Sequence, residues 1–228
     1  MSPNSDALAT RLRQCGVASI YEASTTARIL PNAIKPGHPD AFLSGRALTV
    51  CCPPGDNLWM HLAVSVAAPG DVIVATVNGA HDYGYWGEVL STAARARGIA
   101  GVVIDGCHRD GAQLRMRQEP VFSRGLCIRT TSKDPEQRGG IDVPIRIGGV
   151  DVRPGDFVVG DADGVAVFDE SELATVLEHA ESRVAAESRM MERLTAGATT
   201  LELMNLPRPT SYSAVNAGAS RAAEASPA

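Results

Sequence analysis

Aromatic residues make up only 4% of this 228-residue chain, so its core has to be filled mainly by Val, Ile, Leu and Ala. No apolar stretch reaches the roughly 18–20 residues that a membrane span requires. There is no long basic run, and the net charge is −5, which argues against nucleic acid as the principal partner. The five cysteines are odd in number and include an adjacent pair, Cys51 and Cys52. None has the paired spacing of a zinc site, and a reduced cytoplasm is the expected setting. Residues 1–6 show no basic segment followed by an apolar one, so secretion is not expected. The length allows one good-sized domain or two small ones, either with a real core.

What is present centres on Tyr83 to Arg115. Glu88 opens a run of good helix formers to Arg97, and Gly98 stands where a C′ glycine would end it. Ile99 to Ile104 is a short apolar run, the pattern of a strand covered on both faces. At its end, residues 105–110 (Asp-Gly-Cys-His-Arg-Asp) crowd polar and ionisable side chains together. Ligands in open α/β sheets lie outside the carboxyl ends of the strands, so chemistry is expected here. Twenty residues separate Glu88 from Arg109. One helix, a turn and one strand fill that gap, which returns both ends to the same sheet edge.

The rest of the chain alternates helices and strands. A first helix is expected from Ser5 or Asp6, as N-cap, to Cys15, with a second short one over Val17–Ala23. Residues 31–45 read as loop. Strands are expected over Gly45–Cys52 and Val72–Val77, with a helix from Asn57 to about Ala67 between them. Residues 78–86 form a polar and aromatic loop of the kind that lines sites. A short helix after Asp110 precedes a strand at Val121–Ser123, and more β structure is expected over 126–150. Strands at 157–160 and 164–168 flank a turn at Asp163–Gly164, and one long helix runs from Glu170 to about Thr195. Residues 207–228, rich in Ala, Ser and Pro, read as a loose tail behind a single domain spanning 1–206. The alternation itself indicates a layered α/β domain.

Several residues carry a chemical reading beside a plain one. Asp110 offers the hard carboxylate oxygen that Mg²⁺ prefers, or it simply caps the next helix. Arg109 presents a planar fork that matches a 2-oxo acid carboxylate, or it pairs with Asp105 or Asp110. The N–H groups of Val89 and Leu90 lie in a first helical turn, where unpaired donors and the dipole favour an anion. On the last long helix, Leu173, Leu177, Ala180, Val184, Met191 and Leu194 mark an apolar seam with a gap at Glu187. An acid there is either paired, with Arg183 or Arg193, or used. Cys107 has no second Cys or His at zinc spacing, and His108 is expected to line the mouth of the site. Asp161 to Gly164 resembles the start of a calcium loop but lacks the closing acid in register, and reads as a turn.

Glu88, twenty residues, then Arg109–Asp110 resembles the signature of class II pyruvate aldolases that cleave 4-hydroxy-4-methyl-2-oxoglutarate and 4-carboxy-4-hydroxy-2-oxoadipate. These enzymes share their fold with the regulator of ribonuclease activity A. The resemblance extends over Pro54–Asn57, Trp86–Leu90, Asp105–Gly106, Pro154–Asp156 and Gly160–Val165, roughly Leu8 to Leu206. It implies an α-β-β-α sandwich of the swivelling phosphohistidine-domain type, with a long C-terminal helix. Assembly as a trimer or hexamer with sites between subunits is also implied. Retro-aldol cleavage to pyruvate is the implied activity, with Mg²⁺ or Mn²⁺ as cofactor and oxaloacetate decarboxylation as a side reaction.

In that pattern Asp110 holds the metal directly, while Glu88 and Glu187 hold it through water, the latter from a neighbouring subunit. Arg109 holds the pyruvyl group and stabilises its enolate, with Gly87, Val89 and Leu90 beside it. The chain departs from the pattern at Gln113, where the family often carries an acid. The rival readings are a non-catalytic binding protein of the same fold, or a related metal-dependent lyase acting on another 2-oxo acid.

Overall fold

The computed structural model describes residues 3–207, with side chains described from residue 7. Contacts divide the chain into two compact units, with the boundary between Val184 and Ala185. The tail expected from residue 207 lies, beyond that residue, outside the described residues.

The first unit opens with helices α1 (Pro3–Cys15) and α2 (Val17–Ala23). Helix α1 begins ahead of the expected Ser5 or Asp6 cap, at Pro3, whose fixed φ and missing N–H suit a first helical turn. Two short strands, β1 (Arg28–Ile29) and β2 (Lys35–Pro36), follow, so the stretch expected as pure loop contributes an edge strand. Then come β3 (Leu43–Cys51), α3 (Leu58–Val66) and β4 (Val72–Thr76). Next are β5 (Gly84–Trp86), α4 (Glu88–Ala96), β6 (Gly101–Ile104), β7 (Cys107–His108) and α5 (Gly111–Met116). Five short strands follow: β8 (Val121–Ser123), β9 (Gly140–Ile141), β10 (Ile145–Ile147), β11 (Val150–Val152) and β12 (Phe157–Gly160). Strand β13 (Val165–Phe168) completes a hairpin with β12 across residues 161–164. A 3₁₀ turn at Glu170–Glu172 leads into α6 (Leu173–Thr195).

Strand β3 is the spine. Its first half pairs antiparallel with β12, and its second half pairs parallel with β4. The main sheet runs β1-β13-β12-β3-β4-β6-β8-β2, with β9 also on β3. Gly45 sits where these two pairings meet, and any Cβ there would overlap the carbonyl oxygen of Gly70.

The sheet curls, and its strands alternate sides with period two. Val72 and Val74 join Val103, Phe122, Val158 and Val167 in an inner cluster. Ile73, Ala75, Val102 and Ile104 turn the other way, under Met60, Ala63, Leu90 and Ala94 of α3 and α4. Phe157, Val159, Ala166 and Phe168 pack against Leu12, Ile20, Leu177 and Ala180 of α1, α2 and α6. Each such fully buried side chain contributes about 1.5–3 kcal/mol. With strands covered on both faces, the apolar runs of β4 and β6 need no polar alternation. The result is a mixed α/β fold with a long C-terminal helix.

The last three residues of the aromatic stretch expected as a loop form a strand, β5, and its two largest side chains are drawn inward. Tyr85 and Trp86 are in the core, the indole N–H donating to the Ser91 hydroxyl at 2.6 Å. The Tyr85 hydroxyl donates to the Ala80 carbonyl and accepts from the Gly55 N–H. It ties the 55–57 turn to the segment before α4.

In the second unit, the end of α6 stops at Gly197 (φ 100°), and α7 (Thr200–Leu203) starts on a capping box between Thr199 and Glu202. The expected α6 seam is buried at Leu177 and Ala180, but Met191 is exposed. Glu187 belongs to this unit and is half-buried. No helix among the described residues is long and apolar enough to cross a membrane.

Candidate active site

The helix and strand between Glu88 and Arg109 bring both to one edge. Strands β5 and β7 run parallel, with Gly84 opposite Cys107 and Trp86 opposite His108. The Arg109 N–H donates to the Trp86 carbonyl at 2.8 Å, locking the Arg109–Asp110 pair beside Gly87. Asp110 then adopts a left-handed conformation (φ 59°, ψ 33°), which a short polar residue tolerates. Asp110 occupies the N-cap position of α5, yet its side chain does not cap that helix. Its Oδ2 instead accepts from the Glu88 N–H at 2.9 Å, at the N-terminus of α4. There the helix dipole favours a negative charge. A Cβ on Gly87 would lie 2.5 Å from Asp110 Oδ2 and 3.0 Å from Arg109 Cγ, so only glycine permits this approach.

The plain reading of Arg109 as an ion-pair partner of Asp105 does not hold. Asp105 is buried and pairs with Arg124 at 2.7 Å. The alternative partner, Asp110, does pair with it: Arg109 Nε stands 3.8 Å from Asp110 Oδ2, an ion pair beyond hydrogen-bond length, with the arginine side chain 44% exposed. The adjacent N–H groups of Val89 and Leu90 lie in the first turn of α4 and have no intrahelical acceptor. Arg109, Gly87, Val89 and Leu90 line a cavity of about 220 Å³ together with Gly84, Tyr85, Asn57, His61 and Lys133. Across Arg109 and Asp110 lies a second cavity of about 430 Å³, against Leu126 and Ile128.

The structure therefore gathers Gly87, Glu88, Val89, Leu90, Arg109 and Asp110 at the head of α4. The Glu88 carboxylate pairs with Arg117 at 2.6 Å, and Arg117 also donates to the Thr92 hydroxyl. That pairing along α4 and α5 was not foreseen. Gln113 is exposed on α5. Glu187 lies in the second unit.

His108 does not line the mouth of the site. It is buried, with Nδ1 2.7 Å from the Ser123 hydroxyl, and burial lowers its pKa. Its neighbour in the chain, Arg109, faces the opposite side, as alternation along an extended strand requires. Cys107 is buried too, and burial raises its thiol pKa, the opposite of what a nucleophile needs. Asp161 is a turn residue, accepting from the N–H groups of Val17 and Asp163.

Asn57, His61 and Lys133 are residues to which sequence reasoning gave no role. Asn57 and His61 lie one helical turn apart at the head of α3, a spacing that could have flagged them. Lys133 is held nearby by Asp56, which is fully buried. The Asp56 carboxylate accepts from Leu58 N–H, Asp134 N–H and the Ser132 hydroxyl at 2.7–2.8 Å. Burial alone would raise its pKa, but those hydrogen bonds bring it below the ordinary value. Asp56 thus contributes stability that is present above the unfolded-state pKa and lost as pH falls through the folded one. Asp56→Ala should cost on the order of 3 kcal/mol in urea unfolding, since three partly buried donors lose their shared acceptor. An unchanged midpoint would mean that the 132–134 segment is held by other contacts.

Asn57 is also buried. Its Nδ2 donates to the Tyr85 carbonyl at 2.9 Å, which fixes the amide orientation. Its Oδ1 is left with no protein donor. An unsatisfied buried acceptor costs about 1–3 kcal/mol, so a ligand donor is its natural complement.

The donor set fits one kind of metal and not another. Among the described residues no three His, Cys, Asp or Glu side chains converge as a protein cage for zinc requires. Mg²⁺ is commonly held by one or two carboxylates, with substrate oxygens and waters completing the shell. Asp110, released from capping α5 and partly exposed, is the carboxylate that meets this requirement.

Residues 15–167 match the family model described as RraA-like, Aldolase/RraA. The chain belongs to this family. A relative from Halalkalibacterium halodurans, provisionally named 4-hydroxy-4-methyl-2-oxoglutarate aldolase, is 38% identical over 77% of this chain and 83% of its own. An uncharacterised protein of Methanocaldococcus jannaschii is 34% identical over 77% of this chain and 84% of its own. Among solved structures, an uncharacterised protein from Pseudomonas syringae pv. tomato superposes with a TM-score of 0.76. It is 28% identical and covers 90% of this chain and 96% of its own. The RNA-processing inhibitor RraA of a Thermus species superposes with a TM-score of 0.62 at 26% identity, covering 68% of this chain and 93% of its own. RraA-like architecture thus accommodates both a protein named as an enzyme and one named as an inhibitor.

Proposed function

We propose that this RraA-like protein is a carbon–carbon lyase dependent on a divalent metal. It would cleave a 4-hydroxy-2-oxo di- or tricarboxylic acid to pyruvate and a second 2-oxo acid, and decarboxylate oxaloacetate as a side activity. The observation that carries this reading is the placement of Asp110 and Arg109 against the open N-terminus of α4. A carboxylate for a hard cation and a planar cation for a carboxylate stand there side by side.

Asp110 would hold Mg²⁺ or Mn²⁺, which when bound draws electron density from the substrate's keto oxygen. Arg109 binds the 2-oxo acid carboxylate through its fork, with the N–H groups of Val89 and Leu90 as further donors. Glu88, with Glu187 from a neighbouring subunit, orients the water that takes the proton from the distal hydroxyl. As the C–C bond breaks, charge passes to the pyruvyl oxygen, and Arg109 stabilises that enolate until it is protonated. Oxaloacetate decarboxylation would leave the same enolate.

The inter-subunit part of the reading has support on the surface beside the site. Val89 is 73% exposed, Leu126 67% and Ile128 95%, an apolar border that a second subunit of a trimer or hexamer would cover.

One observation favours the non-catalytic alternative: Glu88 is engaged by Arg117 and not left open. An oxaloacetate decarboxylation assay separates the two readings. Pyruvate formation is expected with Mg²⁺ or Mn²⁺, to vanish with EDTA and to return when the metal is restored. Full activity after exhaustive chelation would sink the mechanism, and no pyruvate under any condition would leave the binding role.

A further inference from the structure

Glu88 has two electrostatic partners on α5 and the turn before it. Its backbone N–H donates to Asp110 Oδ2 at 2.9 Å, while its carboxylate pairs with Arg117 at 2.6 Å. Arg117 stands at the C-cap of α5, its own N–H bonded to the Gln113 carbonyl. Its guanidinium reaches across to α4, where a second nitrogen donates to the Thr92 hydroxyl at 2.9 Å. Thr92 lies one turn beyond Glu88, so the fork holds the Glu88 carboxylate along the flank of α4. The Arg117 carbonyl accepts from Arg95 at 3.2 Å, and Arg95 pairs with the buried Glu119. The arginine therefore springs from an anchored backbone, while its ion pair with Glu88 stays partly exposed on both sides. Gln113 is exposed one helical turn before Arg117 and carries no charge. An acid at that spacing would be a local partner for the arginine, whereas the neutral amide leaves Arg117 to Glu88.

We propose that Arg117 is a positioning residue that competes with the divalent cation for Glu88, and so sets how tightly this chain holds its metal. This rests on the reading of Asp110 as the metal's carboxylate and of Glu88 as the acid beside it. In the metal-free protein the guanidinium neutralises Glu88 and leaves Asp110 to attract the cation without that help. To gain the second acid, the cation has to draw Glu88 away from Arg117. Exposure permits the exchange, because a partly exposed pair contributes little stability and yields where a buried one would not. The Thr92 hydroxyl keeps the released guanidinium nearby, ready to recapture Glu88 when the metal leaves. The Glu88–Arg117 pair is then the resting state of a residue that is used once metal arrives.

The test is a Mn²⁺ titration of the full-length protein, stripped of metal and followed by the electron paramagnetic resonance signal of free Mn²⁺, with no substrate present. Arg117→Met is expected to bind Mn²⁺ about three- to five-fold tighter than the parent, the range of one partly exposed ion pair. A merely structural arginine would give the opposite sign or no change on removal. In a Glu88→Gln background the same Arg117→Met change is expected to leave affinity within about 1.5-fold, because the effect runs through that carboxylate. Circular dichroism melting verifies that the variants are folded. Should Arg117→Met not fold, Gln113→Glu takes its place with the same expected sign, since it keeps the arginine and offers it a nearer acid. Unchanged or weaker binding in the variant read, or equal tightening in the Glu88→Gln background, overturns the proposal and leaves the lyase reading standing. A parent protein that binds no Mn²⁺ overturns the metal reading, and this inference with it.

Discussion

Arg109→Lys is expected to lower kcat by about two orders of magnitude or more, the scale of losing one preorganised donor to a developing oxyanion. Lysine keeps the positive charge but not the planar fork that meets a carboxylate at two points. The rival reading is a structural cation, and the ion pair Arg109 makes with Asp110 is long, at 3.8 Å, and partly exposed on both sides. Asp105, the other candidate partner, is bound by Arg124. The same change should therefore move unfolding stability by no more than about 0.5 kcal/mol, as for surface substitutions away from special features. Steady-state kinetics on oxaloacetate with parallel urea unfolding decides the matter. A lysine variant within a few-fold of the parent would make this residue a bystander.

Asp110→Asn should be nearly inactive, at least about a hundred-fold down, because the amide loses the charge that a divalent cation requires. Asparagine also tolerates the left-handed backbone, so the turn into α5 should survive and the loss should report chemistry. Glu187→Gln is expected to be similarly impaired while assembling normally. If Glu187 acts in a neighbouring subunit's site, unfolding the two variants together and refolding the mixture should recover activity. Mixed oligomers would then contain some sites with neither lesion. Recovery is measured against each variant refolded alone, with native mass spectrometry to establish mixing. Mixed oligomers that stay inactive would remove Glu187 from the shared-site role.

The α4–β6 unit was legible because its signals are local. A helix of good formers closes on Gly98, a short apolar run follows, and Arg109–Asp110 stands at the strand's end. Most strand and helix positions followed from the same kind of evidence, as in the 157–168 hairpin and the long helix α6. What the sequence hid is non-local. Nothing near Lys133 announces Asp56, which lies 76 or 78 residues from the groups it holds. Nor does adjacency reveal that Asp105 prefers Arg124 to Arg109, or that Glu88 meets Arg117. The burial of Tyr85, Trp86 and His108 was missed for a related reason. A stretch rich in Gly, Asn, His and Tyr has loop composition, but the β5–β7 pairing draws these side chains inward. Asp110 shows a subtler limit: its N-cap position was readable, whereas the left-handed turn that sends its carboxylate to α4 was not.

Gly87 makes the chemistry of this fold easy to lose. A single methyl group there would press on both Asp110 and Arg109, yet the three apolar clusters that hold the molecule together are built from other residues. One nucleotide change could therefore silence the site and leave a folded protein with its surface nearly intact. A lineage carrying such a lesion would retain a ready-made scaffold on which selection for binding could act. On the proposed function, a scaffold of this kind passes from catalysis to binding without an unstable intermediate.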